Sequence, residues 1–237
     1  MATELVDMFT PIEYPVLNAE ERQIRLLTFR YNDRGQISGH FKVVSLNQPV
    51  KYTALSYVWG SESPDCHIWV NLRPFLVRPG LFAYPQLAAA EKTIGHGIFI
   101  DAICINQEDT VERSIQVALM GSLYEQAFEV TVWFGEESHW LPELVDTSPA
   151  ILDPAVLRSC LLREATDNLT AQDTLAITAI VRVYLLDHAY WDRVWTAQEF
   201  MLPNQLVLRL GLLKFDVASW PLGVSENESV AVEQRFA

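Results

Sequence analysis

Short β-type runs recur along the chain: Ile24–Phe29, Phe41–Leu46, Tyr52–Trp59, His67–Val70, Gly97–Ile103, Glu129–Gly135 and Gln205–Gly211. Several are apolar without alternation, the pattern of strands covered on both faces by helices. A different period lies between Gly97–Ile103 and Glu129–Gly135. Ile115, Leu119, Met120, Leu123 and Ala127 form a stripe at helical spacing, with Asp109 placed to N-cap it and Glu112 three residues on, the spacing of a capping box. Strand, helix and strand in succession predict a βαβ unit with parallel strands and a right-handed crossover. A shorter helix is expected over Gln86–Lys92, and a buried helix over Leu175–Tyr190, which is apolar nearly all round. The stretch after His67–Val70, NLRPFLVRPG, reads as a loop.

Residues His139–Ala171 break this rhythm with prolines and acidic groups, more an insertion than a second domain. The pattern therefore predicts an α/β fold with a mainly parallel sheet flanked by helices. An antiparallel N-terminal piece over Ile24–Leu46 is expected to extend it. The organisation expected is an N-terminal extension (1–20), one domain (21–215, with the insertion at about 139–171) and a C-terminal tail (216–237).

Composition narrows the function classes. Half of the 237 residues are apolar and 11% are aromatic, enough for a sizeable core. A formal charge of −13 with no Lys/Arg-rich run argues against nucleic acid and anionic membrane surfaces as partners. Leu175–Leu186, the longest apolar segment, is too short for a membrane span and contains Arg182. The N-terminus has no apolar signal region, and three scattered cysteines (Cys66, Cys104, Cys160) fit a reduced compartment, so a cytoplasmic location is expected.

No pair among the five histidines and three cysteines has C-x-x-C, H-x-x-x-H or H-E-x-x-H spacing, so neither a metal site nor a resident cofactor is expected. The sequences G-x-S-x-G, G-x-x-x-x-G-K-[ST] and G-x-G-x-x-G are absent as well. A Cys104–His96 dyad competes with the simpler reading of Cys104 as a small buried residue at a strand end.

Two regions can carry chemistry. In FIDAICINQED a hydrophobic strand delivers Asp101, Asn106 and Gln107 near its C-terminal end, where ligands bind in open α/β sheets. Alternatively, Asp101 and Asn106 only turn the chain into the next helix. In YWDRVWTAQEF (Tyr190–Phe200), a continuous helix would place Trp191, Trp195 and Glu199 on one face. Glu199 is then either a desolvated carboxylate facing a ligand or one half of a salt bridge with Arg193.

The blocks YTALSYVWG, FIDAICINQEDTVERSIQVALMGSLYEQAFEVTVWFG and YWDRVWTAQE closely resemble the three motifs of the fungal heterokaryon incompatibility (HET) domain, over about Ile24 to Gly211. Proteins of that family act in fungal self/non-self recognition, where incompatible fusion triggers programmed cell death. Two features depart from the pattern. Leu72 follows Asn71 where the family more often has glycine, and the large C-terminal region usual in the family does not follow, as in either a piece of a longer protein or a free-standing variant.

The block order also resembles, distantly, that of TIR domains, flavodoxin-like modules of innate immunity. ALSYVWG is similar to the first TIR box, FIDAI to the second, and WTAQE to the later element whose glutamate is catalytic in TIR enzymes that split NAD. The resemblance implies a TIR-like fold and an NAD glycohydrolase with Glu199 as the catalytic carboxylate. Ser56, Tyr57, Trp59, Gly60, Asp101, Arg193 and Trp195 would shape the substrate pocket, with NAD as a substrate and not a cofactor. It equally implies a non-enzymatic module that signals by self-association or through a protein partner. A free-standing enzyme of small-molecule metabolism is a third reading.

Overall fold

A computed structural model of the chain describes residues 12–31, 36–60, 63–91, 96–135, 188–193, 196–211 and 213–217. Among these, nine strands form one mixed sheet: β1 (Gln23–Tyr31), β2 (Ile37–Ser45), β3 (Thr53–Tyr57), β4 (Cys66–Val70), β5 (Arg73–Val77), β6 (Ile98–Phe99), β7 (Glu129–Trp133), β8 (Leu206–Leu210) and β9 (Leu213–Asp216). Their spatial order is β5-β4-β2-β1-β6-β3-β7-β8-β9. The helices are α1 (Pro79–Glu91), α2 (Asp101–Cys104), α3 (Thr110–Gln126) and α4 (Thr196–Met201), with a 3-10 turn at Ala189–Asp192.

The centre of the sheet is parallel. β6, β3, β7 and β8 lie side by side, with Ala54 opposite both Phe99 and Val130, and Val130 opposite Leu206. Every residue of β3 is buried, as expected of a strand covered on both faces. Taken in chain order, these four strands sit second, first, third, fourth, the order of flavodoxin-type doubly wound sheets. The order reverses between β3 and β7, and the C-terminal ends of strands at such a switch point are where doubly wound sheets hold ligands. The expected N-terminal antiparallel piece is present: β1 and β2 pair from Gln23 opposite Ser45 to Tyr31 opposite Ile37. β1 joins the parallel centre at Leu27 opposite Ile98. Gly97, at φ +100°, allows that approach, since a Cβ there would lie 3.1 Å from that of Leu26.

Several elements differ from the sequence expectation. NLRPFLVRPG is not a loop throughout: β4 and β5 form a hairpin closed by Asn71 (φ 49°) and Leu72 (φ 66°), and Pro74 is tolerated because β5 is an edge strand. α1 starts at Pro79 and runs through Pro85, seven residues earlier than Gln86. The run at Gly97–Ile103 is a two-residue strand followed by a helix, because the chain turns at Asp101, whose Oδ1 accepts from the Ala102 N–H at 2.7 Å. Asp109 does cap α3, accepting from the N–H groups of Val111 and Glu112. Glu112 does not close the capping box. Its carboxylate accepts instead from the Asn106 N–H (2.7 Å) and from Arg25 (2.6 and 2.8 Å). The insertion at 139–171 and most of the helix expected over Leu175–Tyr190 lie outside the described residues.

Arg25, only 1% exposed, ties the N-terminal arm to this core. Besides Glu112 it donates to the carbonyls of Cys104 (3.0 Å) and Pro15 (2.5 and 2.8 Å), and Tyr14 lies over its guanidinium at 4.9 Å. A cavity of about 290 Å³ lies between this arm and the start of α3; Asn106 lines it, whereas Ser56, Asp101, Arg193 and Glu199 do not.

Candidate functional site

The C-terminal edge of the parallel strands carries a buried polar cluster in an otherwise apolar neighbourhood. Ser56, the fourth of the five residues of β3, is 1% exposed. Its hydroxyl donates to Glu199 Oε2 at 2.5 Å and receives the hydroxyl of Tyr190, 2.7 Å away. Tyr190 is fully buried in the 3-10 turn, where its ring lies tilted against Phe134, which follows β7, and edge-on to Trp191. Glu199, on α4, is itself only 1% exposed. Arg193 completes its coordination as a fork, with Nη1 on Oε2 at 3.0 Å and Nη2 on Oε1 at 3.1 Å.

Asp101 forms the second acidic position. It follows β6 and opens α2, and its Oδ2 accepts the indole N–H of Trp59 at 3.0 Å. Burial pushes its pKa up from 3.8 to about 6, and the Glu199 carboxylate adds to the rise. The Ala102 N–H, the Trp59 N–H and Arg193 pull the other way without cancelling it. Burial would depress the charge on Arg193, yet Glu199 first and Asp101 second hold its pKa above the ordinary value. Two buried carboxylates and one guanidinium thus share a site that leans negative.

The predicted residues are partly assembled by this geometry. Ser56, Glu199 and Arg193 touch one another; Asp101 and Trp59 form a neighbouring pair coupled to them electrostatically. Tyr57 is buried at the end of β3, and Asp101 acts on its hydroxyl, raising its pKa after burial itself. Gly60 lies beyond β3 at φ +72°, exposed and with open space around it. Trp195 lies outside the described residues.

The expected continuous helix with Trp191, Trp195 and Glu199 on one face is not what forms. The chain leaves the 3-10 turn at Arg193 in an extended conformation (φ −86°, ψ 135°), which interrupts any continuous helix from Trp191, and the described α4 is Thr196–Met201. The reason lies in the contacts: residues six apart do not face each other on a helix, so Arg193 could not reach Glu199 along one. Trp191 instead packs against Phe200, ring centroids 5.0 Å apart. Tyr190, the residue on which Ser56 depends, was not among the predicted site residues; its only sequence signal is its place at the head of the aromatic YWDR block.

A Cys104–His96 dyad does not form. The Cys104 thiol is buried, donates to the Ile98 carbonyl and is pushed up to about 12 by burial, while His96 contacts Thr53 Oγ1.

No helix among the described residues is long and apolar enough to cross a membrane. The chain is 26% identical over 207 residues, 70% of its length, to "Heterokaryon incompatibility protein 6, OR allele" of Neurospora crassa, and spans 29% of that protein. No solved structure matches. The family model described as Heterokaryon incompatibility protein (HET) matches residues 52–199, an interval that opens one residue before β3 and closes on Glu199, and so encloses every described member of the polar cluster. The chain belongs to the heterokaryon incompatibility (HET) family.

Proposed function

We propose that this chain is the effector module of a fungal self/non-self recognition system that leads to programmed cell death, and that it acts by hydrolysing the nicotinamide–ribose bond of NAD at Glu199. Family membership supports the biological role, and the name of the Neurospora crassa relative accords with it. One observation carries the chemistry: a carboxylate 1% exposed, oriented by Ser56 and charge-balanced by Arg193, at the sheet edge where the strand order reverses.

Cleavage of this bond passes through an oxocarbenium-like state and expels neutral nicotinamide, which needs no general acid. Glu199 stabilises the positive charge developing on the ribose, and its low-dielectric surroundings strengthen that interaction. Water adds at the anomeric carbon to give ADP-ribose and one proton.

A second reading rests on the same ion pair. Glu199 is already saturated by Arg193 and Ser56, as a purely structural carboxylate would be, and the module would then signal by self-association. Expression in a fungal host separates the two. The enzymatic reading expects growth arrest with a fall in cellular NAD, both lost in Glu199→Gln at equal protein level. Death that persists in Glu199→Gln with NAD unchanged would leave only the interaction module.

A further inference from the structure

Both oxygens of Glu199 are occupied, and Arg193 alone holds Oε1 among the contacts described above. The groups around the carboxylate differ in their access to water. Ser56 and Tyr190 are 1% and 0% exposed, whereas the Arg193 side chain is 20% exposed against 1% for Glu199. Arg193 is therefore the partner that stands between the carboxylate and solvent. Arg193 itself has extended backbone directly after the 3-10 turn, so its side chain can swing out by rotamer changes while Ser56 keeps Glu199 in place.

We propose that Arg193 is a removable cover on Glu199, and that the ligand of this site pairs a vicinal diol with a phosphate, as in a ribonucleotide; this rests on the reading that Glu199 contacts ligand. A guanidinium offers two parallel N–H donors to the two carboxylate oxygens. A ribose cis-diol offers two O–H donors to the same pair of acceptors, so it can take the place of the fork. The exchange is unfavourable for a neutral riboside, because it leaves a buried carboxylate without its counter-charge and a guanidinium without an anion. A phosphate on the same ligand receives the displaced guanidinium in the bidentate geometry that arginine favours. Arg193 thus changes partner from Glu199 to ligand, and the site stays closed to molecules that carry only one of the two groups.

Calorimetric titration with AMP, adenosine and 2′-deoxy-AMP tests this without any turnover. Wild type is expected to bind AMP at least about tenfold tighter than adenosine, and to lose a similar factor with 2′-deoxy-AMP. In Arg193→Gln the AMP-to-adenosine preference is expected to collapse to within about threefold, with adenosine bound at least as tightly as by wild type. Arg193→Lys, which keeps the counter-charge and so protects folding, is expected to fall between, and circular dichroism checks all three proteins. If Arg193→Gln weakens AMP and adenosine equally while Glu199→Gln abolishes binding, Arg193 is not a cover although Glu199 does meet ligand. If wild type binds neither AMP nor adenosine at millimolar concentration, the cover and the reading beneath it both fail.

Discussion

The hydroxyl of Ser56 donates to the carboxylate of Glu199 at 2.5 Å across 143 positions of sequence, and so joins β3, in the parallel centre of the sheet, to the last described helix. Ser56→Ala removes this donor and leaves the Tyr190 hydroxyl, itself fully buried, without that partner. A loss of about 1–3 kcal/mol in urea unfolding is expected, with the unfolding slope unchanged. No measurable loss would mean that the cluster is not ordered as described.

Truncating the two halves of the Arg193–Glu199 pair is expected to be unequal. Arg193→Ala strands a carboxylate that is 1% exposed, at a cost on the order of 3 kcal/mol. Glu199→Ala leaves a guanidinium that is already 20% exposed and can reach water, so its cost is expected to be smaller. Urea denaturation of both variants checks the order.

Asp101 sets a pH dependence of defined sign. Its pKa rises from 3.8 in the unfolded chain to about 6 in the folded one, so between those values the native state holds the extra proton. Its contribution to stability therefore falls as pH rises from about 4 to about 6, by an amount on the order of 2–3 kcal/mol, and stays lost above. The stability difference between wild type and Asp101→Asn, measured at pH 4 and pH 7, is expected to change by that amount. A difference independent of pH would contradict the raised pKa.

How much of this was legible beforehand depended on the range of the interactions. The parallel centre, the N-terminal antiparallel pair and the Asp109 cap follow from local apolar period and cap chemistry, which a sequence displays directly. β5 was hidden by Pro74, a residue that argues against a strand unless its edge position is known. Spacing makes Glu112 the local half of a capping box, whereas its partner Arg25 is 87 residues away. The same holds for the site. Resemblance singled out Ser56, Asp101 and Glu199, but periodicity along YWDRVWTAQEF suggested one helix, because nothing local reveals that Arg193 must fold back onto Glu199. Tyr190 owes its place to packing between β3 and the segment after β7, a three-dimensional fact with no local trace.

Arg25 and Glu112 provide a test away from the site. Glu112→Ala leaves a guanidinium 1% exposed without its counter-charge, and a loss of roughly 3–5 kcal/mol is expected. Because Arg25 also holds the Pro15 carbonyl, faster amide exchange in residues 12–22 should accompany the loss. Unchanged exchange there would show that the arm is held by other contacts.

Thiol chemistry separates two of the cysteines. Cys104, buried with a thiol pushed up to about 12, is expected to resist alkylation at pH 8 until the protein unfolds, whereas the half-buried Cys66 reacts in the native state. Mass mapping of iodoacetamide adducts with and without urea checks the order.

The most direct measurement is nicotinamide release from NAD by purified protein at high concentration, wild type beside Glu199→Gln, with folding of both verified. The account expects release by wild type and a loss of at least about a hundredfold in the variant, the scale of removing one transition-state electrostatic partner. Equal release by both, or none by wild type even when the protein is forced to cluster, would contradict it.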